Sequence, residues 1–398
     1  MTCLLVSSLL AASLASGITY GEESVNDLKG TAIVATITAG DMNSVDYAAW
    51  QVLGATLLDG ASSYTRRSIY SFGSQNGVMP DVLVWPGVMQ VRFESPPSED
   101  GVRVIADLLA KVVQSPTLPD SSIPFATRRI TQREPTVWER VLAPLRPQGF
   151  APTAIEVRKL HAEAFRPQEM SIHVAGPLGQ GSVQGAITPR FQDWKVKTPP
   201  RLQTSDHRPD EPKMTGEHCL TTWTSQPKKS LYDLATQMVT VCALGGGKSS
   251  LLHSTIRQKN RWGYLQEATW SPSRAGWHMT VFTVQPRPDQ PLTRAEEIKL
   301  ALTDGVQAWK EEDVVRAKRL ALASLEGVNP VHPFWLTPSA RLDTSPMARA
   351  SLLGWSRVHG NDVSVGKLQL AVEAVSLDDI RAAAKTLFDS KPAIQTFD

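Results

Sequence analysis

Apolar positions along the chain switch between two spacings, and the switches mark the elements. Residues 18–20 and then Thr31–Thr38 are β-rich, the second run closed by Gly40, and both predict strands. Over residues 45–58 the apolar side chains Ala48, Val52, Ala55 and Leu58 recur at helical spacing, before the breaker Asp59-Gly60-Ala61-Ser62-Ser63. Two strands flank Pro86-Gly87, the second over 88–94, and helices follow over 99–113 and, strongly basic, 125–133. Thr153 with Glu156 three residues later is a capping box, a side-chain acceptor paired with a returning carboxylate, and it opens a helix over 156–165. A strand over 171–175 ends this half. Residues 188–213, rich in proline and charge, read as a linker.

The second half repeats the first in order. Gly60-Ala-Ser-Ser63 returns as Gly247-Lys-Ser-Ser250 after a comparable apolar helix over 231–244. The strand that begins Gly87-Val-Met returns as Gly276-Trp-His-Met, and the helix over 99–113 returns over 294–309. A second capping box, Ser376 with Asp379, opens a helix over 379–388 ahead of a last strand, Ala393–Phe397. Identities are few, but the order of elements holds. The chain reads as an α+β protein of two homologous halves, 16–187 and 214–398, each a largely antiparallel sheet covered by helices.

Composition narrows the function classes. With 398 residues there is room for two ordinary cores, and a net charge of +2 gives no nucleic-acid footprint. No apolar run is long enough for an integral membrane segment. Of the three cysteines, Cys3 lies at the extreme N-terminus, while Cys219 and Cys242 are either buried thiols or one bridge. The apolar run 3–14 followed by the small-residue site Ser13-Leu14-Ala15 reads as a signal peptide over 1–15, hence an exported protein. Its n-region, Met1-Thr2, has no cation, and a first buried strand or a misplaced start codon are the alternatives, with a cytoplasmic protein as the consequence.

The most informative stretch runs from Leu244 to Tyr264. An apolar helix ends in Gly245-Gly246-Gly247, and a second helical segment places Leu251, Leu252, Thr255 and Ile256 on one face with Arg257 at its end. Gly247-Lys248-Ser249 imitates the close of a phosphate loop, but that motif needs a glycine at position 242, which is Cys242, and a preceding strand. Nucleotide binding is therefore disfavoured. Arg257 and Tyr264 stand seven residues apart, about two turns of a continuous helix, so a guanidinium and a phenol are expected to share one space. The bland alternative is a solvated helix-end arginine and a core tyrosine.

The glycine turn, Ser-Ser, Arg257 and Tyr264 with six residues between them resemble the later half of the insulinase-like (M16) metallopeptidases. The segment from Val157 to Phe165, then Arg166-Pro167 and Met170-Ser-Ile-His-Val-Ala-Gly176, is similar to that family's helix, Arg-Pro and strand. The resemblance spans residues 17–398 and implies a clamshell of two halves.

A departure accompanies it. Catalytic members carry His-x-x-Glu-His in the helix before the first glycine turn, and Gln51, Gly54 and Ala55 occupy those positions here. The eight histidines include no i, i+4 pair, and residues 121–133, where a further zinc-binding glutamate is expected, contain no acid; Glu134 follows alone. An open catalytic zinc site needs three protein donors. The resemblance thus implies a chain that binds no zinc and is inactive alone. It would bind peptide and supply Arg257 and Tyr264 to the active site of a zinc-bearing M16-like partner. The alternatives are an inert assembly subunit, like the family's relatives in respiratory complexes, and a stand-alone peptide- or nucleotide-binding protein.

Overall fold

The computed structural model describes residues 10–13, 17–40, 42, 44–75, 80–132, 137–142, 151–178, 181–196, 216–325, 345–361 and 363–398. Its strands are, in order, β1 (Leu10–Ser13), β2 (Thr19–Ser24), β3 (Thr31–Thr38), the short pair β4 (Gly60–Ala61) and β5 (Tyr64–Thr65), β6 (Asp81–Trp85), β7 (Val88–Ser95), β8 (Met170–Gly176), β9 (His218–Thr224), β10 (Leu265–Ser273), β11 (Gly276–Pro286) and β12 (Ala393–Phe397). The helices of the first half are α1 (Ser44–Thr56), α2 (Arg66–Gln75), α3 (Glu99–Gln114), α4 (Ser122–Thr131), α5 (Val137–Leu142), α6 (Ala154–Ala164) and α7 (Ser182–Phe191). Those of the second are α8 (Leu231–Gly245), α9 (Pro291–Gln307), α10 (Glu311–Leu325), α11 (Pro346–Val358), α12 (Val365–Ala374) and α13 (Leu377–Phe388).

The chain divides into two compact units, and the repeat is visible in their strand orders. The first sheet runs β1-β2-β8-β3-β7-β6 and the second β10-β11-β9-β12. With β8, β3, β7 and β6 set against β12, β9, β11 and β10, order and direction agree, every pair being antiparallel. The first sheet adds β2, parallel to β8, and the outer strand β1. The α+β class and the two homologous halves therefore stand. Both capping boxes form, Thr153 with Glu156 and Ser376 with Asp379, and Ser230 with Asp233 makes a third at the start of α8.

Strand β3 shows why the first unit needs helices on both sides. Its odd side chains Ile33, Ala35 and Ile37 enter the large core beneath α1, α3 and α6, while Ala32 and Val34 pack on the other face with Ala350 of α11. A strand buried on both faces reads as an unbroken apolar run rather than an alternation.

The unit boundaries differ from those expected of the sequence. Residues 344–364, assigned by the repeat to the half 214–398, belong to the first unit, where α11 covers β3, β8 and β7. The stretch read as a linker from residue 188 is still helical through the end of α7, with Val183, Ile187 and Phe191 buried. Residues 197–215 lie outside the described residues. So do Cys3, residues 14–16 and Glu134; Leu10–Ser13, within the expected signal peptide, form the outer strand β1. Cys219 and Cys242 are buried free thiols, not a bridge.

Beside the apolar cluster of Ala32, Val34 and Ala350, the layer between the first sheet and α11 also holds buried polar groups. Gln90 donates to Thr36 Oγ1 at 3.1 Å and to the carbonyl of Ser351 at 3.0 Å. Arg92 bonds Asp81, and Arg349 of α11 reaches Glu23 of β2 at 2.9 Å. His173 of β8 lies in the same layer, and burial beside Arg357 pushes its imidazole down to about 3.

The sign of its effect on stability comes from proton counting. The unfolded chain takes up a proton near the ordinary imidazole value of 6.5 and the folded one does not until about 3. Stability from this residue is therefore complete above about pH 6.5 and is lost as pH falls through that interval. His173→Leu is expected to lessen the acid loss by roughly 1–3 kcal/mol near pH 4. Urea denaturation of both proteins at pH 7 and pH 4 checks this, and equal losses would contradict it.

Candidate functional site

The glycine turn, the chain reversal after it and the start of β10 build the site. α8 stops where side chains no longer fit. A Cβ on Gly245 would sit 3.0 Å from Ala268, and one on Gly246 2.4 Å from the carbonyl oxygen of Cys242. Gly247 has φ of +81°, the left-handed region that favours glycine. The three glycines thus serve two close approaches and one reversal.

The next segment departs from the expected continuous helix. Residues His253–Lys259 form a π-helix, a wider coil found mostly in short pieces and frequently at functional sites. The amide of Asn260 and its side-chain nitrogen both donate to the carbonyl of Thr255, at 3.2 and 3.0 Å, and end the helix. Arg261 then turns the chain with φ of +52°, and Trp262 N–H bonds back to the carbonyl of Ile256 at 2.9 Å. Tyr264 lies beyond the turn, immediately before β10. Arg257 and Tyr264 do meet, but across this reversal rather than along two helical turns. The guanidinium carbon stands 5.6 Å from the centre of the tyrosine ring.

Neither residue belongs to a core. Arg257 is exposed and Tyr264 is 81 % exposed, which excludes the core tyrosine of the bland alternative. They line a groove of about 650 Å³ together with Lys248, His253, Gln258, Arg261 and Gly263, and among the described residues no acidic side chain contributes to its wall. A stacked guanidinium keeps its edge N–H groups free to donate, and the phenol adds an O–H donor. Donors of this kind can bond carbonyl oxygens, carboxylates and developing negative charge. Sequence reasoning missed Lys248, His253 and Arg261 as parts of it, because their convergence depends on the π-helix and the turn at Arg261. Glu267, on β10 but outside the groove, has its carboxyl pushed up to about 7 by burial.

A smaller cavity of about 220 Å³ opens where α8 and α13 begin, but its carboxylates are already committed. Asp233 and Asp379 cap their own helices, and Asp379 also accepts from Tyr232 at 2.7 Å.

The positions aligned with a zinc site do different work. Gln51 is half-buried, with its Oε1 bonded to nothing among the described residues. Gly54 brings α1 against β6 so closely that a Cβ there would lie 2.3 Å from Val84 Cγ2. Ala55 packs at the edge of the core. α4, which packs against α1, offers buried Ile123, Ala126 and Thr127 where a further carboxylate was sought. An amide, a hydrogen atom and a methyl group do not fit zinc, which needs imidazole, thiolate or carboxylate donors. Among the described residues no group of three or more such side chains is placed to hold a metal ion. Purified, dialysed protein is expected to carry far less than one zinc per chain by elemental analysis; about one tightly held zinc would contradict this.

Comparison with known proteins accords with this geometry. Residues 153–320 match the family model described as the peptidase M16 inactive domain. A solved structure of a peptidase M16 inactive domain from Pseudomonas fluorescens is 16% identical with a TM-score of 0.75, over 98% of this chain and 97% of that one. A protease from Helicobacter pylori is 12% identical with a TM-score of 0.76, over 98% and 99%. The first half of the periplasmic protease PqqL from Escherichia coli is 10% identical with a TM-score of 0.65, over 98% and 91%. No curated protein matches the sequence. The family match is thus to residues 153–320, and by these structures nearly the whole length of the chain has their fold. Among the described residues no helix is long and apolar enough to cross a membrane.

Proposed function

We propose that this chain is the zinc-free subunit of a heteromeric M16-type peptidase. It binds an extended peptide and presents Arg257 and Tyr264 to the active site of a zinc-bearing relative. The observation that carries this reading is a pair of exposed hydrogen-bond donors, the Arg257 guanidinium over the Tyr264 ring, in a groove with no acidic side chain among the described residues, on a chain whose own zinc positions hold Gln51, Gly54 and Ala55.

Peptide hydrolysis passes through a tetrahedral intermediate whose oxygen gains negative charge. The bond-breaking chemistry stays with the partner. This chain's part is to hold the peptide's carbonyl groups and to aim the guanidinium and phenol donors at the oxygen where charge develops. Donors fixed before the reaction stabilise that charge without reorganising during it, which is where such sites gain most of their rate. An inert scaffold has no use for two exposed donors stacked over a groove.

Export is part of the proposal. If residues 1–15 are removed, β1 is lost from the mature sheet and the intact mass begins near Ser16; Met1 retained on cytoplasmic protein would contradict this. The test of partnership is co-elution of this chain with a relative that carries His-x-x-Glu-His, with peptide cleavage by the pair but not by this chain alone.

A further inference from the structure

We propose that the groove beside Arg257 and Tyr264 selects peptides by their carboxylates, supplied by acidic side chains or by a free C-terminus. The inference rests on the peptide-binding function proposed for this groove and adds a substrate class to it.

The charge in the groove is the first ground. Lys248, Arg257 and Arg261 are all exposed and converge on one groove, and His253 lines it too. The whole chain carries 41 Lys and Arg against 39 Asp and Glu, so three cations without an acid is a local arrangement and not a reflection of overall basicity. Among the described residues no carboxylate neutralises these cations. Arg257 faces the Tyr264 ring, and the salt bridge next along the chain joins Arg294 to Glu297, outside the groove.

The second ground is the character of the remaining groups. The Tyr264 hydroxyl and the Gln258 amide add donors, and His253 Nδ1 is buried with no partner among the described residues. A lining made almost wholly of donors and cations matches a ligand made of acceptors and negative charge. Three like charges held together also repel one another, and a bound carboxylate relieves that repulsion. Each exposed pair contributes little by itself, so the preference is collective and sensitive to salt. A peptide rich in lysine or arginine meets the opposite balance and is rejected.

The test uses the full chain and three fluorescent octapeptides: one rich in glutamate with an amidated C-terminus, its glutamine counterpart amidated, and the same glutamine peptide with a free carboxylate. Binding is read by anisotropy at low salt and at about 0.3 M salt, where exposed charges are screened. The glutamate peptide is expected to bind at least about tenfold more tightly than the amidated glutamine peptide at low salt, a ratio that falls toward one at high salt. If the free-carboxylate glutamine peptide shows the tight binding instead, the C-terminus is the recognised group. Lys248→Ser with Arg261→Ser, both at exposed positions, should abolish the preference, so that the glutamate and amidated glutamine peptides bind alike. Equal binding of all three peptides, or a preference that survives the double substitution, overturns the proposal, as does no binding at all. Equal binding alongside a turnover loss in Arg257→Ala would leave the role of the Arg-Tyr pair standing and remove only the carboxylate preference.

Discussion

Tyr264→Phe in the assembled complex is expected to lower kcat about a hundredfold to a thousandfold, equivalent to about 3 to 4 kcal/mol of lost transition-state stabilisation. The substitution removes one donor and leaves the ring over which Arg257 stacks, so the groove keeps its shape. Tyr264 is 81 % exposed and bears no core packing, so folding should be unaffected. KM should move little, because the lost interaction is made chiefly in the transition state. Arg257→Ala should cost at least as much, since it removes the cation and the stack together, and its KM should rise as ground-state carbonyl contacts are lost. Both variants must be shown to assemble before their rates are compared. Wild-type turnover in both would leave the pair without a catalytic role and favour the scaffold reading.

The second large effect is on stability. Arg349 of α11 and Glu23 of β2 form an ion pair at 2.9 Å, with side chains only 10 % and 2 % exposed. Burial pushes the Glu23 carboxyl up, and the Arg349 guanidinium opposes that shift. Removing Arg349 leaves the buried Glu23 carboxylate without this cation, which costs about 3–5 kcal/mol. Against a total stability of about 5–15 kcal/mol, Arg349→Met is expected to release α11 from the first sheet. Gln90 would then lose its bond to the Ser351 carbonyl as well. The double variant Glu23→Gln/Arg349→Met should be less damaging than the sum of its singles, because neither charge is left stranded. Urea denaturation of the four proteins checks both statements. A single substitution within about 0.5 kcal/mol of wild type would show that the pair does not hold the helix.

Much of the fold was legible in the sequence, for local reasons. Thr153 with Glu156 and Ser376 with Asp379 each formed the capping box that their spacing announces. The repeat of Gly60-Ala-Ser-Ser and Gly247-Lys-Ser-Ser foretold two halves built alike, and four strands of the first sheet match the second in order. The features that escaped depend on contacts far apart in sequence. Nothing in the pattern of residues 346–358 says which sheet α11 will cover. That choice lies in Gly354, whose missing side chain admits Thr36 of β3, and in the Arg349–Glu23 pair, separated by 326 residues.

Two members of the candidate site, Arg257 and Tyr264, were legible in the sequence, and its geometry was not. Arg257 and Tyr264 were found from their motif, yet the spacing argument assumed a regular helix. A π-helix followed by a left-handed turn at Arg261 brings them together instead, and apolar periodicity does not encode that change of register. The same local structure gathers Lys248, His253 and Arg261, which carry no signal of their own. At the other end of the chain, the absence of zinc donors at Gln51, Gly54 and Ala55 was plain from residue identity alone. The structure adds that Gly54 is required for α1 to lie against Val84, so a ligand could not be restored there without moving β6.

The most direct measurement of the central claim is peptide hydrolysis by a zinc-bearing M16 relative, titrated with this chain. The account predicts that turnover by the relative is low alone and rises about a hundredfold or more, saturating at one chain per partner, while the Arg257→Ala chain saturates at the same ratio without the rise. A partner as active alone as in the mixture, or full activation by the Arg257→Ala chain, would contradict it.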